Sequence, residues 1–289
     1  MDLNTIISDR RSTEKYPATL SFQDVNGEEQ AWNIKVNLRG KFRRMRCAEM
    51  PPLKLNFKKD DLKLVTHCVQ NEKEAKELLF KEYLAYKLFN EITEESFRVQ
   101  LLKINYVDKI SKDSKQQWGI LIEDTAQMRN RIGAQKVAND TNLPPEEFEA
   151  TSFKRVALFQ YMIGNFDWDV CGARNLKIVQ TGGKMIAIPY DFDFSFFVGA
   201  PYASFDPSLK IITKADRVYL GFDQDLKDME EIKSYFKSKK KRIYKTIKGF
   251  KLLNVVQRKE MLNFLDTFFY NLDEIQTRPK AKLVNNLGH

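Results

Sequence analysis

Histidine is nearly missing from this chain: the only two are His67 and His289. His289 is the last residue, so His67 alone remains for a serine–histidine–aspartate triad, and a histidine-rich metal site has too few ligands; both are nearly excluded. Any chemistry therefore falls to carboxylates, lysine, arginine and asparagine. Cysteine is scarce too. Cys47, Cys68 and Cys171 are too few for a disulfide scaffold, and no C-x-x-C zinc spacing occurs. Cys47 and Cys68 are free to pair if the protein is exported, leaving Cys171 reduced; two reduced structural cysteines fit the sequence equally well. No apolar run approaches the ~18 residues a membrane helix needs, and MDLNTIISDRRSTEKY is no signal peptide. The abrupt start is compatible with an export signal replaced by a starting Met, and equally with a cytoplasmic protein. Acidic residues fall short of basic ones, leaving a net charge of +9. Much of the excess lies in Lys233–Lys248, with Lys237, Lys239, Lys240, Lys241, Arg242 and Lys245 between. Such a run meets nucleic acid, anionic lipid or a phosphorylated substrate; the plainer reading is a solvated helix face. Aromatics do not interleave with these cations as stacking platforms, which speaks against nucleic acid.

What the chain does have is a concentration of hard oxygen ligands in one stretch, Gly164 to Phe194. Asp167, Asp169, Asn175, Asp191 and Asp193 flank two short apolar runs, Leu176–Val179 and Met185–Ile188, joined by Thr181-Gly182-Gly183. The pattern predicts a hairpin with Asn175 just before its first strand and Asp191 and Asp193 just after its second. Carboxylate and amide oxygens grouped this way suit Mg²⁺ or Mn²⁺, which often bind a substrate phosphate as well. The plainer alternative is a calcium-stabilised or simply acidic pair of loops.

Upstream, residues 1–15 read as an irregular lead-in. Ala18–Phe22 and Trp32–Leu38 alternate around Asn26-Gly27, a hairpin signal. The second strand runs into Arg39-Gly40-Lys41-Phe42-Arg43-Arg44, a basic turn that is able to approach a phosphate. Leu53, Leu55 and Phe57 share one face of the next strand and Lys54 takes the other; Leu62–Val65 adds a further strand. Glu72–Ile92 is the clearest helix, with Ala75, Leu78, Leu79, Ala85, Tyr86, Phe89 and Ile92 in one stripe. Glu82 falls inside that stripe, and a buried carboxylate needs a cationic partner, for which Lys54 or Lys63 is suited. Phe97–Val107 and Trp118–Ile122 form another hairpin, and Thr125–Ile132 a short helix. A helix opening at Pro144-Pro145 leads through Ile163 into the acidic stretch. Phe194–Ala203 is unusually apolar and reads as core, or else as a lid. Two helices close the chain, Leu226–Gly249 and Val255–Ile275, before a frayed tail.

The order strand lysine, helix glutamate, Asp…Asn, hairpin, Asp resembles the protein-kinase-like fold. Pro189-Tyr190-Asp191-Phe192-Asp193 is similar to the Pro-Trp-Asp-x-Asp segment of CotH-type kinases. Gly164-Asn165-Phe166-Asp167 is similar to the Gly-Asn-x-Asp of HipA-like kinases. Both runs also look like those of uncharacterised bacterial proteins, often exported. The resemblance implies an α+β, two-lobed architecture. An antiparallel-sheet N-lobe with one main helix spans residues 1–123. A mainly helical C-lobe spans 124–275, and 276–289 is a tail. It further implies an ATP- and Mg²⁺- or Mn²⁺-dependent phosphotransferase acting on an unidentified protein or small-molecule hydroxyl. In that reading Lys54, aligned by Glu82, grips the nucleotide phosphates, with Arg39 standing in for a glycine-rich loop. Asp167 orients the acceptor, with Asn175 at its side and Asp169 as the alternative aspartate. Asn175, Asp191 and Asp193 hold metal. Arg174 stands where related motifs usually carry histidine. The alternative is a catalytically inactive kinase-like binding or scaffold protein.

Overall fold

A computed structural model describes residues 2–40, 42–47, 50–58, 61–138 and 140–275. The expected tail 276–289 lies outside the described residues, as does Lys41. The chain divides into two compact units, one of Met1–Lys87 with Ser96–Gly133, the other of Leu88–Glu95 with the chain from Ala134 onward.

The first unit is built on alternation. Its strands are β1 (Tyr16–Gln23), β2 (Glu29–Leu38), β3 (Leu53–Asn56), β4 (Asp61–Val65), β5 (Val99–Val107) and β6 (Ser114–Ile122). They form one sheet in the order β1-β2-β3-β4-β6-β5, with every neighbouring pair antiparallel. On β2 the apolar set Ile34, Val36 and Leu38 is buried, as period-2 spacing requires. It joins Leu53, Leu55, Leu64 and Tyr106 in one core. Residues 1–15, expected to be irregular, contain helix α1 (Leu3–Ser8), which brings Leu3 and Ile6 into the same core. Its start is set by Asp2, whose carboxylate accepts from the Thr5 amide at 3.0 Å. The Leu3 amide donates to Asp108 Oδ2 at 2.7 Å. Backbone N–H groups of Ser111, Leu3 and Ile110 hold the Asp108 carboxyl down to about 2.

The basic turn expected after β2 instead contains a five-residue helix, α2 (Phe42–Arg46), with Arg43 only 8 % exposed. A helix this short has no periodicity to read. Cys47, immediately after α2, is disulfide-bonded to Cys68, just ahead of helix α3 (Glu72–Ile92). The sequence left that pairing open; Cys171 is free and exposed. The bounds of α3 match the apolar stripe, with Ala75, Leu79, Phe80, Leu84, Ala85 and Tyr86 buried. Helix α4 (Thr125–Arg131) closes the unit, capped by Asp124.

In the second unit, helix α5 (Ala150–Ile163) is apolar nearly all round and correspondingly buried from Val156 to Ile163. It begins later than Pro144-Pro145. A short 3-10 turn, Pro145–Glu147, comes first. Phe148 is extended, and the Glu149 carboxylate then caps the amides of Thr151 and Ser152. Strands β7 (Gln135–Lys136), β8 (Leu176–Thr181) and β9 (Lys184–Pro189) form a small antiparallel sheet. The β8–β9 turn uses Gly182 and Gly183, both at positive φ (55° and 79°), as a two-residue hairpin demands. Helix α6 (Glu230–Gly249) starts after a 3-10 turn, Asp223–Lys227, rather than at Leu226, and α7 (Val255–Tyr270) stops short of Ile275. The apolar run after Asp193 is core: Phe197, Val198 and Ala200 are buried. The last residues of α3 belong here, with Phe89 against Phe159 at 4.7 Å between ring centres. The α+β class expected from the sequence is therefore present, a sheet-rich unit with one long helix and a mainly helical unit carrying the acidic hairpin.

Candidate active site

The acidic stretch is held by backbone geometry at both of its ends. Helix α5 terminates at Gly164, which caps it in the left-handed conformation (φ 60°). A side chain there would also meet Phe196 Cβ at 3.2 Å. The chain returns to this point after the hairpin: the Phe196 and Phe197 amides donate to the carbonyls of Gly164 and Ile163, each at 3.1 Å. The segments carrying Asp167 and Asp193 are thereby tied side by side. Asn165, 1 % exposed, donates to Gln160 Oε1 at 3.0 Å and accepts from the Asp167 amide at 3.1 Å. That turn fixes the backbone at Asp167.

The hairpin supplies the remaining groups. Pairing of β8 with β9 runs out at Leu176 opposite Pro189, and one further bond follows, Tyr190 N–H to the Asn175 carbonyl at 3.0 Å. Asn175 and Asp191 thus flank the mouth of the hairpin, opposite its glycine turn. Both lie in the left-handed region, at φ 53° and 64°, with Ala173 at 49°. Such conformations are strained for non-glycine residues, least so for Asn and Asp, and tend to cluster at functional sites.

Asn175 Nδ2 donates to the Asp167 carbonyl at 2.6 Å and to Asp167 Oδ2 at 2.9 Å. Its Oδ1 takes no part in those bonds and is the atom left for a cation. Arg174 Nε lies 3.5 Å from Asp167 Oδ1, with the Arg174 side chain 58 % exposed. Burial pushes the Asp167 carboxyl up, and the nearby Asp193 charge adds to this. Arg174 and the Asn175 bond act the other way. Asp193 is 4 % exposed and Asp191 half-buried. The Asp169 carboxylate turns back on its own loop, accepting from the Gly172 amide at 2.6 Å, and the Asp169 backbone bridges to Arg174. Asp169 shapes the loop, whereas Asp167 faces Asn175 and Asp193.

The first unit holds the other residues expected from the sequence. Glu82, 2 % exposed, is paired with Arg43 at 2.6 Å. A cationic partner was required there, and it includes an arginine from α2 that the sequence did not suggest. Lys54 is instead paired with Asp61 at 2.5 Å, across the β3–β4 hairpin. Lys63 lies on β4, the strand that runs into α3. Its Nζ is 3.3 Å from Thr125 Oγ1 and 5.2 Å from the Phe97 ring centre. Arg39 sits half-buried at the end of β2, its amide bonded to the Pro52 carbonyl at 3.0 Å.

Among the described residues no three His, Cys, Asp or Glu side chains form a ready-made metal cage. The donor set at the hairpin mouth is two or three carboxylates and one amide oxygen. It fits an ion that keeps several waters and takes the rest of its ligands from a bound phosphate, as Mg²⁺ does.

No protein-family description matches the chain, and no curated protein does. Among solved structures it is similar to a proinflammatory kinase of Helicobacter pylori, CtkA. The identity is 11 % and the TM-score 0.43, over 81 % of this chain and 91 % of that one.

Proposed function

We propose that the protein is a metal- and ATP-dependent phosphotransferase of kinase-like design, acting on a hydroxyl acceptor of a protein or small molecule. The observation that carries this reading is the meeting of Asp167, Asn175 and Asp193 beside Asp191 at the mouth of one hairpin. Asp167 is partly desolvated and held by an amide. That suits a carboxylate which orients an acceptor hydroxyl and takes its proton as the bond forms. Asn175 Oδ1, Asp191 and Asp193 are the atoms that would hold Mg²⁺ or Mn²⁺. When bound, the ion neutralises phosphate charge and fixes the phosphates relative to the acceptor.

In the first unit the strand entering α3 is β4, so the phosphate-gripping lysine is better assigned to Lys63 than to Lys54, which Asp61 engages. Glu82 then acts as a fixed buried anion, with Arg43 as one of its partners and Arg39 as an accessory cation. A second reading, an inactive kinase-like scaffold, draws on the Arg174–Asp167 ion pair, which occupies the carboxylate an acceptor would need. Transfer of labelled phosphate from ATP, to a generic acceptor or to the protein itself, separates the two. Metal-dependent transfer abolished by Asp167→Asn supports the enzyme; metal-dependent binding without transfer supports the scaffold.

A further inference from the structure

Helix α6 presents a cationic face that the phosphotransferase reading does not use. Lys237, Lys240, Lys241, Lys245, Lys248 and Lys251 line a single groove of about 800 Å³. Two of them are neutralised locally: Lys237 bonds Asp273 at 3.0 Å, and Lys240 lies 3.7 Å from Asp266. Lys241, Lys245 and Lys248 are exposed and make no ion pair among the described residues. Among the described residues Lys251 donates to the Lys248 carbonyl, at 3.3 Å. Cations near a helix C-terminus complement its dipole, but that effect falls off within the last turn. Lys241 and Lys245 lie further back.

A second, independent feature adjoins this face. The corner where α6 turns into α7 exposes three aliphatic side chains: Leu252 in the connecting loop at 48 %, and Val255 and Val256 in the first turn of α7 at 71 % and 64 %. They project from a hydrogen-bonded corner. Leu253 is buried beneath them, at 1 % exposure. Arg258 donates to the carbonyls of Phe250 and Leu253. Asn254 and Gln257 form a reciprocal capping box at the start of α7.

From the two features together we infer that the α6–α7 corner docks on an anionic lipid bilayer. The aliphatic tip enters the headgroup–acyl boundary while the lysines face the charged headgroups. Nucleic acid would be served by the charge but not by the tip, since single strands stack on aromatic rings and bases are read by planar or amide groups. The groove's one aromatic, Tyr244, is covered by Lys240 at 5.2 Å and bonded to Asp266 at 2.7 Å. An acidic peptide likewise leaves the exposed valines unexplained. Three aliphatic side chains and a few lysines make this a peripheral, reversible attachment.

The test is flotation of the full chain with vesicles of phosphatidylcholine alone and of phosphatidylcholine with phosphatidylserine. Binding is expected only to the anionic vesicles, and it should weaken as salt is raised. Each lysine near the surface contributes about a fivefold increase in affinity. Lys241→Gln/Lys245→Gln/Lys248→Gln should therefore weaken partitioning on the order of 100-fold, with an unchanged melting curve. Val255→Ser/Val256→Ser should weaken it while leaving the salt dependence in place. Val256→Trp should report insertion as a blue-shifted emission on anionic vesicles only. The inference is overturned if the wild-type chain ignores phosphatidylserine, or if the triple variant binds as the wild type does. It is also overturned if duplex DNA at matched salt displaces the protein from the vesicles. None of these outcomes depends on ATP or on phosphotransfer.

Discussion

Arg43 and Glu82 offer a direct check on how the first unit is held together. The two side chains are 9 % and 3 % exposed and meet at 2.6 Å. Arg43→Met keeps the volume but strips the guanidinium from a carboxylate in a dry site. Breaking one side of a buried pair typically destabilises by about 3–5 kcal/mol, because the remaining charge stays desolvated. With a urea slope of about 2 kcal/mol/M, that moves the midpoint down by about 1.5 M or more. Tryptophan fluorescence is a suitable probe, since Trp32 and Trp118 lie in the first unit and Trp168 in the second. The loss should appear in the first unit's transition. Replacing both partners, Arg43→Met/Glu82→Leu, should recover stability to within about 1 kcal/mol of the wild type, since an apolar substitute no longer carries the desolvation term. A single-variant loss below about 1 kcal/mol, or a double variant worse than Arg43→Met alone, would refute the claim that this pair is an energetically coupled, buried unit.

Three other outcomes are expected. Asp167→Asn should lower phosphotransfer by about 10²–10⁴-fold with ATP binding retained; because burial raises the Asp167 carboxyl, wild-type turnover should fall as pH drops through a value above the ordinary aspartate range. Cys47→Ser/Cys68→Ser, or reduction of the bond that links them across 21 residues, should cost about 3 kcal/mol of first-unit stability, read as a lower melting temperature. Asp108, held near 2 in the folded chain against 3.8 when unfolded, contributes stability that is present above about pH 4 and lost as pH falls through 2. Asp108→Asn should therefore destabilise near neutral pH, with the difference closing in acid; a pH-independent difference in denaturation midpoint would contradict the assignment.

The long elements were legible because they repeat. The stripe of α3 predicts Glu72–Ile92, the bounds the structure shows, and the two apolar runs around Gly182-Gly183 predict the β8–β9 hairpin. The short elements were not. Helix α1 has two core residues and α2 spans only five positions, too few for a stripe to be read; the Asp2 cap sets the start of α1. The requirement for a cation at Glu82 follows from its place in the stripe, but the arginine that meets it lies 39 positions away, and only the tertiary path of α2 brings it there. Lys54 reaches Asp61 through a strand register that composition does not specify. At the candidate site, the hairpin pattern places Asn175 and Asp191 together. The approach of Asp193 to Asp167 depends instead on the Phe196 and Phe197 amides returning to the end of α5. The distinction between Asp167 and Asp169 likewise rests on hydrogen bonds: one carboxylate receives the Asn175 amide, the other its own loop.

The central proposal is that the carboxylates at the hairpin mouth hold a metal–nucleotide pair for transfer. Calorimetric titration of ATP into the wild-type chain and into Asp191→Asn, with and without MgCl₂, tests it most directly. The account predicts ATP binding that requires the metal and weakens by roughly tenfold or more in Asp191→Asn. ATP binding that is indifferent to the metal, or unchanged in Asp191→Asn, would contradict it.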